Sequence, residues 1–152
     1  MALFASTGKL VMWDEYNRLL KELYDKIRLR RFDAIVAIGR GGSFISAYLT
    51  SKLGVPLFYP VFVRHIGKGD GMKIIEHDLG NVHSLTGNVL VVDDWLCEGR
   101  AMNHVLNLLH DGANVTTLVM YNRRGSAFTP DFVGTYLDED QREILFPYDP
   151  IG

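Results

Sequence analysis

Two adjacent carboxylates ahead of a glycine-bearing turn carry the most evident chemistry in this chain. Asp93 and Asp94 close the apolar run Val89-Leu90-Val91-Val92 and lead into Trp95-Leu96-Cys97-Glu98-Gly99-Arg100. Neighbouring like charges repel, so such a pair needs a reason. The vicinal hydroxyls of a ribose, or a divalent cation with oxygen ligands, would supply one. Acid placement at a helix N-terminus is the other explanation. A second loaded stretch is Gly39-Arg40-Gly41-Gly42, directly after Ala34-Ile35-Val36-Ala37-Ile38. Glycines let a backbone approach a ligand closely. Backbone N–H groups at a helix N-terminus favour an anion, and Arg40 adds a charge-assisted fork. A tight strand-to-helix turn with a surface arginine explains the same residues.

Two better-known glycine motifs are excluded. A dinucleotide fingerprint needs a third glycine where Phe44 stands, and an acidic residue where Val63 and Arg64 stand. A phosphate loop of the Gly-Lys-Ser/Thr type is missing altogether. The five histidines, at positions 65, 77, 83, 104 and 110, show no metal-site spacing; His104 and His110, six apart, do not share a helix face. Cys97 is the only cysteine. It reads as a small filler or as a thiol activated at a helix N-terminus.

The elements that must position these residues follow from periodicity. Residues 13 to 31 predict an amphipathic helix, with Trp13, Tyr16, Leu19, Leu20, Leu23, Tyr24 and Ile27 on one face and Asp14 and Glu15 in its first turn. Residues 34 to 38 suit a buried parallel strand. Phe44 to Leu53 reads as a helix closed by Gly54 and Pro56. Residues 57 to 63 predict a strand that Pro60 weakens. Glycine at every second position makes residues 65 to 71 a mobile loop, before a short strand over 73 to 76. Residues 88 to 94 are the strongest strand signal. A helix from Arg100 to Asp111, a strand over 115 to 121 and short strands near Phe132 and Leu145 complete the chain. Alternating strands and helices mean a single α/β domain over residues 1–152, with a mostly parallel central sheet flanked by helices.

Bulk properties narrow the partners. A formal net charge of -2 gives no reason to expect nucleic acid. The basic cluster Lys26, Arg28, Arg30 and Arg31 reads as the solvated end of a helix. The chain has no apolar run near the roughly 18 residues of a membrane span, no signal-peptide pattern at its start, and one cysteine, which fits a reducing compartment. A cytoplasmic protein is the expectation.

Taken together, these residues resemble the type I phosphoribosyltransferase family, and most closely its small 6-oxopurine members. The apolar strand with two acidic residues, the loop to Gly99 and the helix beyond match the family's signature layout. Residues 37–42 resemble its pyrophosphate loop. The glycine-rich stretch 65–71 lies where the family keeps a lid. Pro130-Asp131-Phe132-Val133-Gly134 and the ending Leu145-Phe146-Pro147-Tyr148-Asp149 resemble its C-terminal part, a small hood. The resemblance implies transfer of ribose-5-phosphate from phosphoribosyl pyrophosphate to a nitrogenous base, a purine, with Mg²⁺. Arg40, Gly41 and Gly42 would hold pyrophosphate. Asp93 and Asp94 would bind ribose hydroxyls and order the metal complex. Cys97, Glu98, Gly99, Arg100 and Ala101 would cradle the 5′-phosphate. The resemblance also implies a homodimer.

Departures from the family pattern leave alternatives open. The purine members place aspartate, threonine and a Thr or Ser where Cys97, Glu98 and Ala101 stand. Ala101 has no hydroxyl, and Glu98 brings a negative charge toward a phosphate unless Arg100 offsets it. Glu98, with Asp94, is the catalytic candidate, as a base in place of the missing aspartate. The family's base-binding lysine is absent from the strand ending Tyr121-Asn122, and its stacking aromatic is replaced within Gln141-Arg142-Glu143-Ile144. Tyr121, Glu143 and Ile144 are therefore the base-binding candidates, with Tyr136 and Tyr148 as other possible stacking rings. A catalytically silent nucleotide or activated-sugar binder, and an enzyme accepting an unphosphorylated sugar, remain the alternatives.

Overall fold

The computed structural model describes residues 8–67 and 73–150. The elements in chain order are β1 (Lys9–Leu10), α1 (Trp13–Ile27), β2 (Ala34–Ile38), α2 (Gly39–Leu53), β3 (Phe58–Ile66), β4 (Lys73–Asp78), β5 (Gly87–Leu96), α3 (Arg100–Leu108), β6 (Ala113–Arg123), β7 (Phe132–Leu137) and β8 (Ile144–Leu145). Six strands form one sheet in the order β4-β3-β2-β5-β6-β7. All neighbours are parallel except β3 and β4. β1 and β8 pair in parallel as a separate two-stranded hood.

Strand β5 shows why the core has two halves. Its side chains alternate across the sheet, so Leu90 and Val92 enter one apolar cluster and Val89 and Val91 the other. The first cluster receives Leu19, Leu23 and Ile27 of α1 and Ile45 and Leu49 of α2. The second receives Met102 and Val105 of α3. Both faces of the sheet are covered, as a parallel sheet requires.

Several boundaries differ from the sequence reading, each for a local reason. Helix α1 ends at Ile27 rather than residue 31, because the Arg30 N–H turns back to the Ile27 carbonyl. Helix α2 starts at Gly39, not Phe44; Gly39 takes a φ of +64°, and the Ser43 hydroxyl donates to its carbonyl. Pro60 does lie in a strand: β4 pairs with β3 only from Val61 onward, so Pro60 faces one sheet neighbour alone. Helix α3 stops at Leu108, and the His110 ring accepts the Gly112 N–H beyond it. Of the proposed loop over 65–71, His65 and Ile66 extend β3, and residues 68–71 lie outside the described residues.

Strands β2 and β5 are adjacent, yet their chains continue to opposite sides of the sheet. That topological switch opens a crevice at the carboxyl ends of the two strands, where open α/β sheets bind ligands. Ala37 pairs with Val92, so Gly39-Arg40-Gly41 and Asp93-Asp94 emerge side by side.

Leu23 is fully buried in the α1 face. Leu23→Ala should lower unfolding free energy by about 2–5 kcal/mol in urea denaturation. A loss under about 1 kcal/mol would mean that α1 is not packed as described.

Candidate active site

The carboxylate pair is built into the sheet rather than hung from a loop. Both aspartates belong to β5. Asp93 is 9% exposed, and its Oδ1 accepts the Asp94 N–H at 2.8 Å. Asp94 Oδ2 accepts the Tyr148 hydroxyl at 2.5 Å. Gly41 makes room for this carboxylate, since a Cβ there would stand 1.8 Å from Asp94 Oδ2. Gly42 lies against the sheet backbone, where a Cβ would meet the Val92 carbonyl at 2.5 Å.

Burial, and then the charge of Asp94 beside it, push the Asp93 carboxyl well above the usual range. Burial also raises Asp94, opposed by the hydrogen bonds from Tyr148 and Asp93. Two adjacent buried carboxyl groups cannot both ionise cheaply. Tyr148 is locked by its neighbours: its ring stacks on Phe44 at 4.3 Å and on Phe146 at 5.3 Å between centroids.

Two cavities flank the pair. One, of about 240 Å³, is lined by Arg40, Gly41, Asp93, Asp94 and Tyr148 among others. Arg40 is exposed there, with no carboxylate within ion-pair distance among the described residues. The other, of about 350 Å³, is lined by Asp93, Cys97, Glu98, Gly99, Arg100 and Ala101 among others. His65 borders both.

The second cavity meets the start of α3. Gly99 caps that helix at φ +90° and brings no side chain of its own to the first turn. A Cβ at Gly99 would stand 2.8 Å from the Phe128 Cβ, so glycine is required twice over. The N–H groups at a helix start suit an anion. Glu98 does not oppose this with a bare charge. Its carboxylate is held by Arg100 at 2.8 Å and by Arg142 of the hood at 3.3 Å. Behind the loop, buried Arg123 donates from Nε to the Cys97 carbonyl at 2.9 Å, and from Nη1 to the Arg124 and Glu139 carbonyls, both at 3.1 Å.

The phosphoribosyl transferase domain family matches residues 11–150. A xanthine-guanine phosphoribosyltransferase of Chromohalobacter salexigens is 30% identical over 146 residues, covering 91% of this chain and 82% of that protein. An orotate phosphoribosyltransferase of Sulfurisphaera tokodaii is 27% identical over 118 residues, covering 76% of this chain. The chain spans 56% of that relative's own length. The purine phosphoribosyltransferase structure from Pyrococcus horikoshii superposes with a TM-score of 0.76 at 21% identity, covering 95% of this chain and 96% of that one. The chain belongs to the phosphoribosyl transferase domain family. Its fold is the type I phosphoribosyltransferase fold.

Within that fold, Arg40, Gly41, Asp93, Asp94 and residues 97–101 converge on one crevice. Two expectations need correction. Tyr121 is fully buried, with its hydroxyl bonded to Glu15 inside the core, so it offers no face to a base. Glu98 is not a free base, because two guanidiniums occupy its carboxylate. Ile144 lies in the hood strand β8, and the carbonyl of exposed Glu143 accepts the Lys9 N–H. Arg142, beside them, reaches Glu98 in the loop after β5. Sequence reasoning missed the roles of Arg123 and Arg142, and took Tyr148 for a stacking ring or filler. Only Tyr148 left a signal, through its place in the Phe-Pro-Tyr-Asp ending.

A carboxyl raised in the folded state favours folding when protonated. That contribution is present below the unfolded carboxylate range and is lost as pH rises through the folded value. Asp93→Asn removes the charge and leaves an amide to donate to Asp94. The unliganded variant should melt above wild type at pH 7.5, by about 2–4 °C for each ~1 kcal/mol recovered. The gap should close toward pH 4. Scanning calorimetry checks both; an unchanged or lower Tm at pH 7.5 would contradict the strained pair.

Proposed function

We propose that this chain transfers the ribose-5-phosphate group of phosphoribosyl pyrophosphate to a nitrogenous base, with a purine as the acceptor class. The observation that carries the reading is the desolvated Asp93–Asp94 pair at the switch point, between the exposed Arg40 and the N-terminus of α3. Three anionic or polyhydroxylated parts of one substrate match these three features in order. Pyrophosphate would lie toward Arg40 and Gly41, the ribose hydroxyls on the carboxylates, and the 5′-phosphate at the start of α3.

The pair also fits a magnesium ion in the way such ions bind substrate phosphates. Mg²⁺ commonly takes one or two carboxylates and fills its shell with substrate oxygens and water. Two aspartate side chains are available, and among the described residues no group of three or more acidic, histidine or cysteine side chains is placed to hold a metal ion. When bound, the ion would neutralise charge on the leaving pyrophosphate.

The chain's own residues would do the rest. The bond from the anomeric carbon to pyrophosphate breaks, and its electrons leave with the pyrophosphate. A base nitrogen forms the new bond, and its proton passes to solvent water. Positive charge grows on the ribose ring meanwhile, and ionised Asp93 and Asp94 would stabilise it from a low-dielectric site. Ribose hydroxyls and a divalent charge both favour the ionised carboxylates, so binding opposes protonation of the pair. Affinity for the magnesium complex of phosphoribosyl pyrophosphate should therefore weaken as pH falls through the pair's titration. Calorimetry in buffers of different ionisation heat should show proton release that grows as pH falls from neutral into the pair's titration; no release at any of these pH values would contradict the coupling.

The clamped Glu98 favours a binding role over a base role. Glu98→Gln should free both arginines and tighten phosphoribosyl pyrophosphate binding about 2–10-fold, since a nearby charge contributes of order 1 kcal/mol at a solvated site. The kcat should stay within about threefold. A 100-fold fall in kcat with KM unchanged would restore Glu98 as the base.

The deciding experiment is the Tm shift with Mg²⁺ and phosphoribosyl pyrophosphate, alone and together, followed by pyrophosphate exchange with each candidate base. A joint shift with exchange supports the transferase. A joint shift without exchange for any base means a binding protein on the same fold. Stabilisation by ribose but not by ribose 5-phosphate would overturn the phosphate assignment. Cytoplasmic placement and a homodimer complete the proposal; among the described residues no helix is long and apolar enough to cross a membrane.

A further inference from the structure

At the opposite end of the sheet lies a second concave site, about 250 Å³, that the reaction does not use. It is lined by Arg30, Arg31, Phe32, Asn88, Asn114 and Thr116. The first three follow the end of α1, and the last three start β5 and β6. This is the amino-terminal edge of the parallel strands, whereas the carboxylate pair lies near the carboxyl end of β5.

The basic cluster was read from sequence as a solvated helix end. The structure separates its members. Lys26 donates to the Val133 carbonyl at 2.8 Å and does not line the site. Arg30 and Arg31 do line it, and neither has a carboxylate within ion-pair distance among the described residues. The Arg30 guanidinium is held over the Phe132 ring at 4.8 Å, which fixes its position without neutralising it. The two nearby carboxylates each accept a backbone N–H. Asp33 accepts the Asn88 N–H at 2.8 Å, and Asp131 accepts the Thr117 N–H at 2.8 Å. The amides at the site are also oriented. Asn114 Nδ2 donates to Asn88 Oδ1 at 3.0 Å, which leaves the Asn88 NH₂ and the second Asn114 N–H as donors for another partner.

We propose that this pocket binds a di- or polyphosphate group, held by the Arg30 and Arg31 guanidiniums and oriented by the Asn88 and Asn114 amides. Two guanidiniums with planar donor forks match phosphate oxygens in a way that lysines would not. The partly buried Phe32 ring adds an apolar wall, so the polyphosphate can be free or can be the tail of a nucleotide. The assignment is independent of the proposed transferase reaction.

The test uses the ¹⁵N-labelled full chain, titrated without metal with inorganic pyrophosphate and, separately, with ATP. The side-chain NH₂ signals of Asn88 and Asn114 report on this pocket; the backbone signals of Gly41 and Gly99 report on the crevice. Saturable shifts at the two asparagines with pyrophosphate support the site with a free polyphosphate. Saturable shifts with ATP alone support it with a nucleotide. In either case Arg30→Gln/Arg31→Gln should weaken the binding at least tenfold, with a Tm matching wild type. Should the double variant fail to fold, Asn114→Ala serves as the second variant and should weaken the same binding. No saturable asparagine shift with either probe, or an unchanged affinity in the folded variant, overturns the proposal. Loss of the crevice signals alone would count against the transferase reading and leave this one standing.

Discussion

The structure turns on placing two carboxyl groups next to each other where water is scarce. Asp93 and Asp94 are adjacent in one strand, and burial raises both. Left alone, such a pair would push the strand end outward. It is kept in place because every neighbouring element has been shaped to it. Gly41 removes the side chain that would collide with Asp94, and Tyr148 donates to it. Asp93 receives the backbone N–H that follows it. Val89 through Val92 anchor the strand, each buried without exposure. Apolar burial of that kind contributes roughly 1.5–3 kcal/mol per large side chain, enough for the sheet to hold a site that is unfavourable in itself. Function and stability therefore pull in opposite directions at this point, as they commonly do at binding sites.

The same logic extends to the loop after the strand. Cys97 to Gly99 must turn sharply without a side-chain cap, and the loop is tied down from behind instead. Arg123 spends its hydrogen bonds on three backbone carbonyls, one in the loop and two in the segments beyond β6 and β7. A buried guanidinium satisfied only by carbonyls keeps its full positive charge. It lies beneath the loop that meets the helix start, so it adds to the positive potential that the helix dipole already provides there.

Much of this was legible in the sequence. Strand β5 was, because an apolar run ending in two acids is rare and its pattern is unambiguous. The crevice followed from it, since the alternation of strands and helices fixes which strand ends meet. The helical start of α2 was not legible: Gly-Arg-Gly-Gly has poor helix propensity, and only tertiary packing against Val92 and Ala37 makes glycine the better choice there. Tyr121 misled for a related reason. Its position at the end of a strand beside the site suggested exposure, but the hood residue Phe146 covers it. The roles of Arg123, Arg142 and Tyr148 depend on partners 16 to 54 residues away in sequence, and no local pattern encodes such contacts.

The substitutions in the phosphate-side loop form one coherent change when taken with the hood. Ala101 removes a hydroxyl donor and Glu98 replaces another. Both guanidiniums, Arg100 and Arg142, meet the Glu98 carboxylate at the same place. Hydroxyl donors recognise phosphate by direction at short range. Guanidiniums on half-exposed side chains recognise it by charge at longer range, with more freedom to move. One of the two comes from the hood, so its position depends on how the hood sits on the loop. An anion that draws Arg142 from Glu98 must also change the contact between loop and hood. In the proposed reaction, 5′-phosphate binding and hood placement would then be linked equilibria, and the linkage would be as strong as the difference in Arg142's affinity for the two anions. A loop with hydroxyl donors alone has no such link, because its contacts end within the loop itself.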